Sequence, residues 1–307
     1  MAKLSSKDVL WAGQFSIDEI ELILETAKRY EQALTAGETI DDLQGKLLAT
    51  LFFEPSTRTR LSFEAAMQRL GGSVVTVAEA KSSSAAKGES LHDTIKTVEG
   101  YADVIVLRHP QIGSAAEAAA STERPVLNAG DGAGQHPTQS LLDLYTIVKE
   151  QGKVDNLTIA LAGDLKNGRT VHSLADLLSN YDVNFLFVAP PALRMPGEVV
   201  ERLRAKGIDV EETDDLSEAV KACDVLYMTR IQRERFEDPS EYDRLKNAYV
   251  LTRRMLEPAK DTLTVMHPLP RVNEIATDVD ELPGAAYFRQ VANGVPVRMA
   301  LLSLVLQ

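Results

Sequence analysis

A chain of 307 residues is long for one compact core and comfortable for two domains of ordinary size. Hydrophobic residues make up 44% and charged residues 25%, as in an average globular protein, and a formal net charge of −12 argues against nucleic acid or an anionic membrane as partner. Cys223 is the only cysteine, which excludes an intrachain disulfide and disfavours a cysteine-based zinc site within the chain.

The N-terminal residues lack the apolar core of a signal peptide, and apolar runs such as Val183–Phe187 are far too short to span a bilayer. The cytoplasm is the expected compartment. The first helix is announced by Ser16-Ile17-Asp18-Glu19, a capping box, with Ile20, Ile23, Leu24, Ala27 and Leu34 at helical spacing behind it. Strand-like runs follow at 46–53, 73–77, 103–107 and 125–128, and a second series at 157–162, 183–188, 224–228 and 263–266. Helical segments are predicted between them over 57–70, 90–101, 136–151, 169–181, 197–206 and 217–222. Cys223 reads as a small buried hydrophobe beside the strand at 224–228.

Regular strand–helix alternation predicts the α/β class, with two doubly wound parallel-sheet domains. The glycine-rich stretch Gly130-Asp131-Gly132-Ala133-Gly134 marks the expected boundary. A first domain over 1–135 and a second over 136–287 follow from it, with a last helix over 288–307 expected to pack back on the first domain. The serine-rich segment around Ser83 reads as a loop.

The most informative segment is Phe52-Phe53-Glu54-Pro55-Ser56-Thr57-Arg58-Thr59-Arg60. An apolar strand ends, a proline turns the chain, and a helix begins near Ser56. The opening turn of a helix carries unpaired N–H groups and a partial positive charge, which suits an anion. Ser56, Thr57 and Thr59 add hydroxyl donors, and Arg58 adds a guanidinium fork matched to phosphate oxygens. A plain serine N-cap with solvated arginines is the bland alternative.

This motif, preceded by Phe-Phe-Glu and followed by Leu-Ser-Phe-Glu, resembles the carbamoyl phosphate motif of the aspartate and ornithine carbamoyltransferases. The resemblance continues through Lys87-Gly88-Glu89, Arg108-His109-Pro110, His136-Pro137-Thr138-Gln139, the run from Gly163 to Ser173, Met228-Thr229-Arg230-Ile231-Gln232 and His267-Pro268-Leu269-Pro270-Arg271.

It implies that Ser56, Thr57, Arg58 and Thr59 hold the phosphate, with Arg108 bridging phosphate and carbonyl oxygen. His136 would bond the carbonyl oxygen with Thr59 and Arg108. Gln139 and the backbone carbonyls of Pro268 and Leu269 would receive the carbamoyl NH2, and Leu269-Pro270 is an expected cis peptide. Ser83 and Lys87 would enter a neighbouring subunit's site, making a homotrimer with shared active sites the working unit. Arg169, Arg230 and Gln232, with Lys87, would hold the acceptor. Glu54 would pair with both Arg169 and Arg230 across the cleft between the two domains, where the active site would lie, and so favour closure; its bland role is that of a helix-start carboxylate. Catalysis would thus fall to Arg58, Thr59, Lys87, Arg108 and His136, with no metal and no cofactor.

Arg169 and Arg230 suit the two carboxylates of L-aspartate, whereas ornithine members typically carry an aspartate, a Ser-Met-Gly segment and a cysteine in His-Cys-Leu-Pro at these places. His109 and His267 read as structural, and His92 and His172 as surface or packing residues. Gly163 and Gly168 alone make a weak dinucleotide fingerprint. Some family members bind a separate zinc-containing regulatory chain and others stand as bare trimers; the residues leave both open.

Overall fold

The computed structural model describes residues 3–78, 87–236 and 238–307, so Ser83 lies outside the described residues. The chain divides into two compact units, Met1–Leu142 with Asn293–Gln307, and Asp143–Ala292.

The first unit contains β1 (Leu47–Phe52), β2 (Ser73–Val77), β3 (Val104–His109) and β4 (Val126–Asp131), all parallel, in the order β2-β1-β3-β4. Its helices include α1 (Ile17–Thr35), α2 (Thr57–Arg69), α3 (Leu91–Val98) and α4 (Ser114–Ala120), and it also holds the start of α5 (Pro137–Gln151). The capping box at α1 forms as read: Glu19 N–H donates to the Ser16 hydroxyl, and Ser16 N–H donates to the Glu19 carboxylate. Strands β1, β3 and β4 are buried almost throughout, as a parallel sheet covered on both faces requires. Edge strand β2 is mostly exposed. Leu51, Ile95, Ile105, Leu107, Ala118 and Val126 form a core between sheet and helices.

The second unit runs through β5 (Leu157–Ala162), α6 (Arg169–Leu178), β6 (Val183–Val188), α7 (Gly197–Ala205), β7 (Asp209–Thr213), α8 (Leu216–Ala222), β8 (Val225–Met228), α9 (Pro239–Leu245), β9 (Thr264–Met266) and the start of α10 (Tyr287–Val305). Its strands are parallel in the order β7-β6-β5-β8-β9. Cys223 is fully buried in the core of this unit, where burial pushes its thiol up to about 12.

In each sheet the chain winds first one way and then the other. The direction reverses between β1 and β3 in one sheet and between β5 and β8 in the other. Ligands of open α/β sheets bind at the carboxyl ends of the strands beside such a reversal.

Among the strands and α-helices of the described residues, three escape the sequence reading. Strand β7, Asp-Val-Glu-Glu-Thr, is a polar edge strand paired only with β6, so it lacks an apolar run. Helix α4 is nearly all alanine and α9 has no buried residue, so neither shows an apolar stripe. The division between units also falls inside α5 and α10 rather than before His136 and at Phe288. The glycine-rich stretch runs from the last two residues of β4 into a tight turn: Asp131 accepts from the N–H groups of Gly113 and Gln135, and Gly132 N–H donates to the His109 carbonyl.

Candidate active site

In the first unit three neighbouring strands end side by side. After β1 the chain turns through Glu54 and Pro55 into α2, with Ser56 at the N-cap. The Ser56 hydroxyl makes no bond to its own helix, unlike that of Ser16 or Ser90. Its oxygen is therefore not consumed as an ordinary cap. Thr57 and Arg58 are exposed, and Thr59 is buried on the first turn. Strand register sets Phe52 at the end of β1 against Arg108 on β3. The Arg108 guanidinium is buried, donates to the Ala129 carbonyl at 3.1 Å, and pairs with Glu54 at 2.9 Å. An arginine held this way loses little further rotamer freedom when it meets an anion.

Beyond β4 the braced turn delivers His136 to the start of α5, where its carbonyl accepts from Gln139 and Ser140 N–H. His136 and Gln139 are both buried. The unit thus gathers Ser56, Thr57, Arg58, Thr59, Arg108, His136 and Gln139 at the ends of β1, β3 and β4. Beneath them lies a residue that motif reading missed. Arg298 on α10 is buried, donates to the Ser62 hydroxyl on α2 and to Thr138 on α5, and stacks its cation over the Phe63 ring at 5.0 Å. It ties together the helices that carry the phosphate motif and His136. Lys87 is exposed at the start of a described segment, and Gly88 after it takes a positive φ of 92°.

The second unit repeats the plan with β5, β8 and β9. Gly163 follows β5 at φ 121°, and a methyl group there would lie 2.2 Å from the Thr229 carbonyl oxygen after β8. This close approach is why glycine stands there. Asp164 is fully buried and accepts from Asn167 N–H at 3.0 Å and Gln232 N–H at 3.4 Å. Burial holds its carboxyl above the usual range, against those bonds. Gln232 donates in turn to the Asn167 carbonyl at 3.2 Å. His172 Nε2 lies 2.7 Å from the Leu165 carbonyl, which can only accept, so that nitrogen carries the proton.

These contacts stitch the segment leading to Arg169, the first residue of α6, to the one carrying Arg230 and Gln232. All three side chains are partly exposed. After β9 comes His267, then Pro268 and Leu269, followed by a cis Leu269–Pro270 peptide. Leu269 itself has φ 50°, a left-handed conformation that costs a non-glycine residue about 1–3 kcal/mol.

Arranged this way, the first unit offers a helix N-terminus, hydroxyls, guanidinium groups and an imidazole, the donor set for a phosphorylated carbonyl compound. The second offers two arginines and an amide on the segments that follow two adjacent strands, suited to a dianionic partner.

Comparison with known proteins accords with this. The profile of the aspartate/ornithine carbamoyltransferase carbamoyl-P binding domain matches residues 7–149, and that of the Asp/Orn binding domain matches residues 155–305. The aspartate carbamoyltransferase catalytic subunit of Thermococcus gammatolerans is 57% identical over 98% of this chain and 98% of its own. The catalytic subunit of M. jannaschii aspartate transcarbamoylase superposes with a TM-score of 0.91 at 52% identity, covering 97% of both chains. Aspartate transcarbamoylase from Trypanosoma cruzi, solved with carbamoyl phosphate and aspartate, gives 0.92 at 45% identity over 96% of this chain and 95% of its own. By sequence, by topology and by its ordered motifs, this chain belongs to the aspartate/ornithine carbamoyltransferase family.

Proposed function

We propose that the chain transfers the carbamoyl group of carbamoyl phosphate to the amino group of L-aspartate, giving N-carbamoyl-L-aspartate and phosphate, the carbamoylation step of pyrimidine biosynthesis. The observation that carries the choice of acceptor is that Arg169 opens the helix after β5 while Arg230 and Gln232 follow β8, the neighbour of β5 in the sheet. Two cations suit the two carboxylates of aspartate and penalise the cationic side chain of ornithine.

The aspartate amine attacks the carbamoyl carbon, negative charge builds on the carbonyl oxygen, and the C–O bond to phosphate breaks. Ser56, Thr57, Arg58 and Thr59 bind the phosphate, and Arg108 lies between phosphate and carbonyl oxygen. His136, Thr59 and Arg108 stabilise the oxyanion; one such donor is worth about 3 kcal/mol in comparable enzymes. The departing phosphate takes the amine proton, so His136 acts as a neutral polarising donor and needs no basic role. Gln139 and the Pro268 and Leu269 carbonyls orient the carbamoyl NH2. Glu54 is assigned to closure; within the first unit it pairs with Arg108.

Ser83 and Lys87 are assigned to the active site of a neighbouring copy, with Lys87 reaching both substrates, in a homotrimer of the cytoplasm. Edge strand β2 supports an assembly, with Val75, Leu61 and Tyr101 exposed in the same unit, because open sheet edges and exposed apolar groups invite a partner. The catalytic-subunit names of the relatives fit a separate regulatory chain as a further partner. No described helix is long and apolar enough to cross a membrane.

The test is phosphate release from carbamoyl phosphate by the purified chain with L-aspartate and, in parallel, with L-ornithine. Release with aspartate alone, matched by N-carbamoyl-L-aspartate, is the expected result. Release with ornithine alone would overturn the roles of Arg169, Arg230 and Gln232.

A further inference from the structure

A left-handed backbone at a residue bearing a Cβ persists only where its surroundings fix it, and Leu269 is in that state. The groups that fix it converge on His267. Leu269 N–H donates to His267 Nδ1 at 2.7 Å, while His267 Nε2 lies 2.7 Å from Glu274 Oε1. The other Glu274 oxygen accepts from Val272 and Asn273 N–H, each at 3.1 Å. One imidazole and one carboxylate therefore clamp the loop from both ends.

The His267 backbone is anchored separately. Its N–H donates to Gln290 Oε1 at 2.9 Å, Gln290 Nε2 donates to Asp143 at 2.6 Å, and the Tyr227 hydroxyl donates to the same carboxylate at 2.8 Å. His267, Gln290, Asp143 and Tyr227 are all buried, so these bonds are made where water cannot compete.

We propose that His267 is a positioning residue for carbamoyl transfer: as the neutral, Nε2-protonated imidazole it offers Nδ1 to Leu269 N–H and so aims the Pro268 and Leu269 carbonyls. This deepens the reading above and rests on its assignment of those two carbonyls to the carbamoyl NH2. The tautomer follows from the partners. Leu269 N–H can only donate, so Nδ1 carries no proton, and Nε2–H donates to Glu274. A protonated ring would turn an N–H against the Leu269 N–H. Burial holds the imidazole below its ordinary pKa although Glu274 pulls the other way; Arg271 and Arg230 are the cations acting on it.

Two substitutions separate the nitrogens. His267→Asn leaves an amide oxygen in reach of the N–H two residues on, as in an Asx turn, but gives up Glu274. His267→Gln reaches toward Glu274 and gives up the Leu269 N–H. The expected result is a His267→Asn enzyme within about tenfold of the parent in kcat/KM for carbamoyl phosphate. His267→Gln should fall by about a hundredfold or more, although the two variants unfold at similar denaturant concentrations.

Equal activities, or activities that simply follow the unfolding midpoints, would overturn the proposal. 15N-histidine NMR of the unsubstituted protein needs neither substitution at His267 to fold: the signal that moves on Glu274→Gln must be the Nε2-protonated tautomer at neutral pH. An Nδ1-protonated ring or an imidazolium there would overturn it as well. If the unsubstituted protein fails to carbamoylate aspartate while the tautomer is as stated, the functional reading has failed and the geometry of His267 has not.

Discussion

Three histidines are neutral in this fold for the same physical reason. His109, His172 and His267 all have pKa values held below the usual histidine range, and burial is the first cause in each. The unfolded chain binds a proton at each near pH 6.5, whereas the folded chain does so only at lower pH. Stability is therefore full above that value and falls as pH drops below it toward the folded values. Glu274 acts in the same direction at lower pH. Burial raises its pKa, but bonds from His267 and backbone N–H groups outweigh that and leave it depressed. Denaturant unfolding at pH 8 and pH 5.5 should give a clearly lower midpoint at pH 5.5; an unchanged midpoint would contradict the lowered pKa values of these rings. Of the three, the sequence reading treated His109 and His267 as structural and His172 as surface or packing. Spacing alone offers no sign of the Leu165 carbonyl or Glu274, which fix the tautomers, because those partners are set by loop shape.

At the scale of elements, the candidate site residues of each unit lie beyond strand ends that are held in register by the loops that follow them. Gly163 is the tightest point, since a side chain there must meet the Thr229 carbonyl oxygen at a backbone angle that already disfavours it. Gly163→Ala is expected to cost about 3 kcal/mol or more, to part the β5 end from the β8 end, and to raise KM for L-aspartate more than KM for carbamoyl phosphate. Ser16→Ala should cost about 1 kcal/mol through loss of the α1 cap and leave both KM values unchanged. Denaturation midpoints and initial-rate kinetics on the two variants decide it; equal KM values for Gly163→Ala and parent would remove the glycine from the site argument.

Elements with strong periodicity or punctuation were legible in advance, as the Ser16 capping box and the apolar runs of β1 and β5 illustrate. Polar β7, alanine-rich α4 and exposed α9 were not, because the tertiary pairing that makes them regular leaves no local apolar pattern. The candidate site residues stand in motifs that can be picked out from the sequence; Arg298, Asp131 and Asp143 do not, since single buried polar residues make their case only through partners far away in sequence.

At the scale of the whole molecule, the shared-site assignment of Lys87 and Arg58 has a direct consequence for mixed assemblies. Lys87→Ala and Arg58→Ala proteins, each nearly inactive alone, should regain activity when their assemblies are dissociated, mixed and reassembled. In a trimer some sites then draw Arg58 from one copy and Lys87 from another, both intact. Activity of the mixture no higher than that of the separate variants, with hybrid trimers verified by native mass spectrometry, would refute the sharing of sites.

The two units differ in how the chain reaches them. Residues 143–292 form one uninterrupted stretch, whereas the first unit is finished only by residues 293–307. Arg298, which joins α2 to α5, arrives with that last stretch. On the ribosome the second unit can therefore fold as soon as its own stretch has emerged, while the earlier-made first unit waits for residues 293–307 to complete it. The order of completion is the reverse of the order of synthesis. Until residues 293–307 emerge, the first unit is the one that chaperones and proteases would meet incomplete.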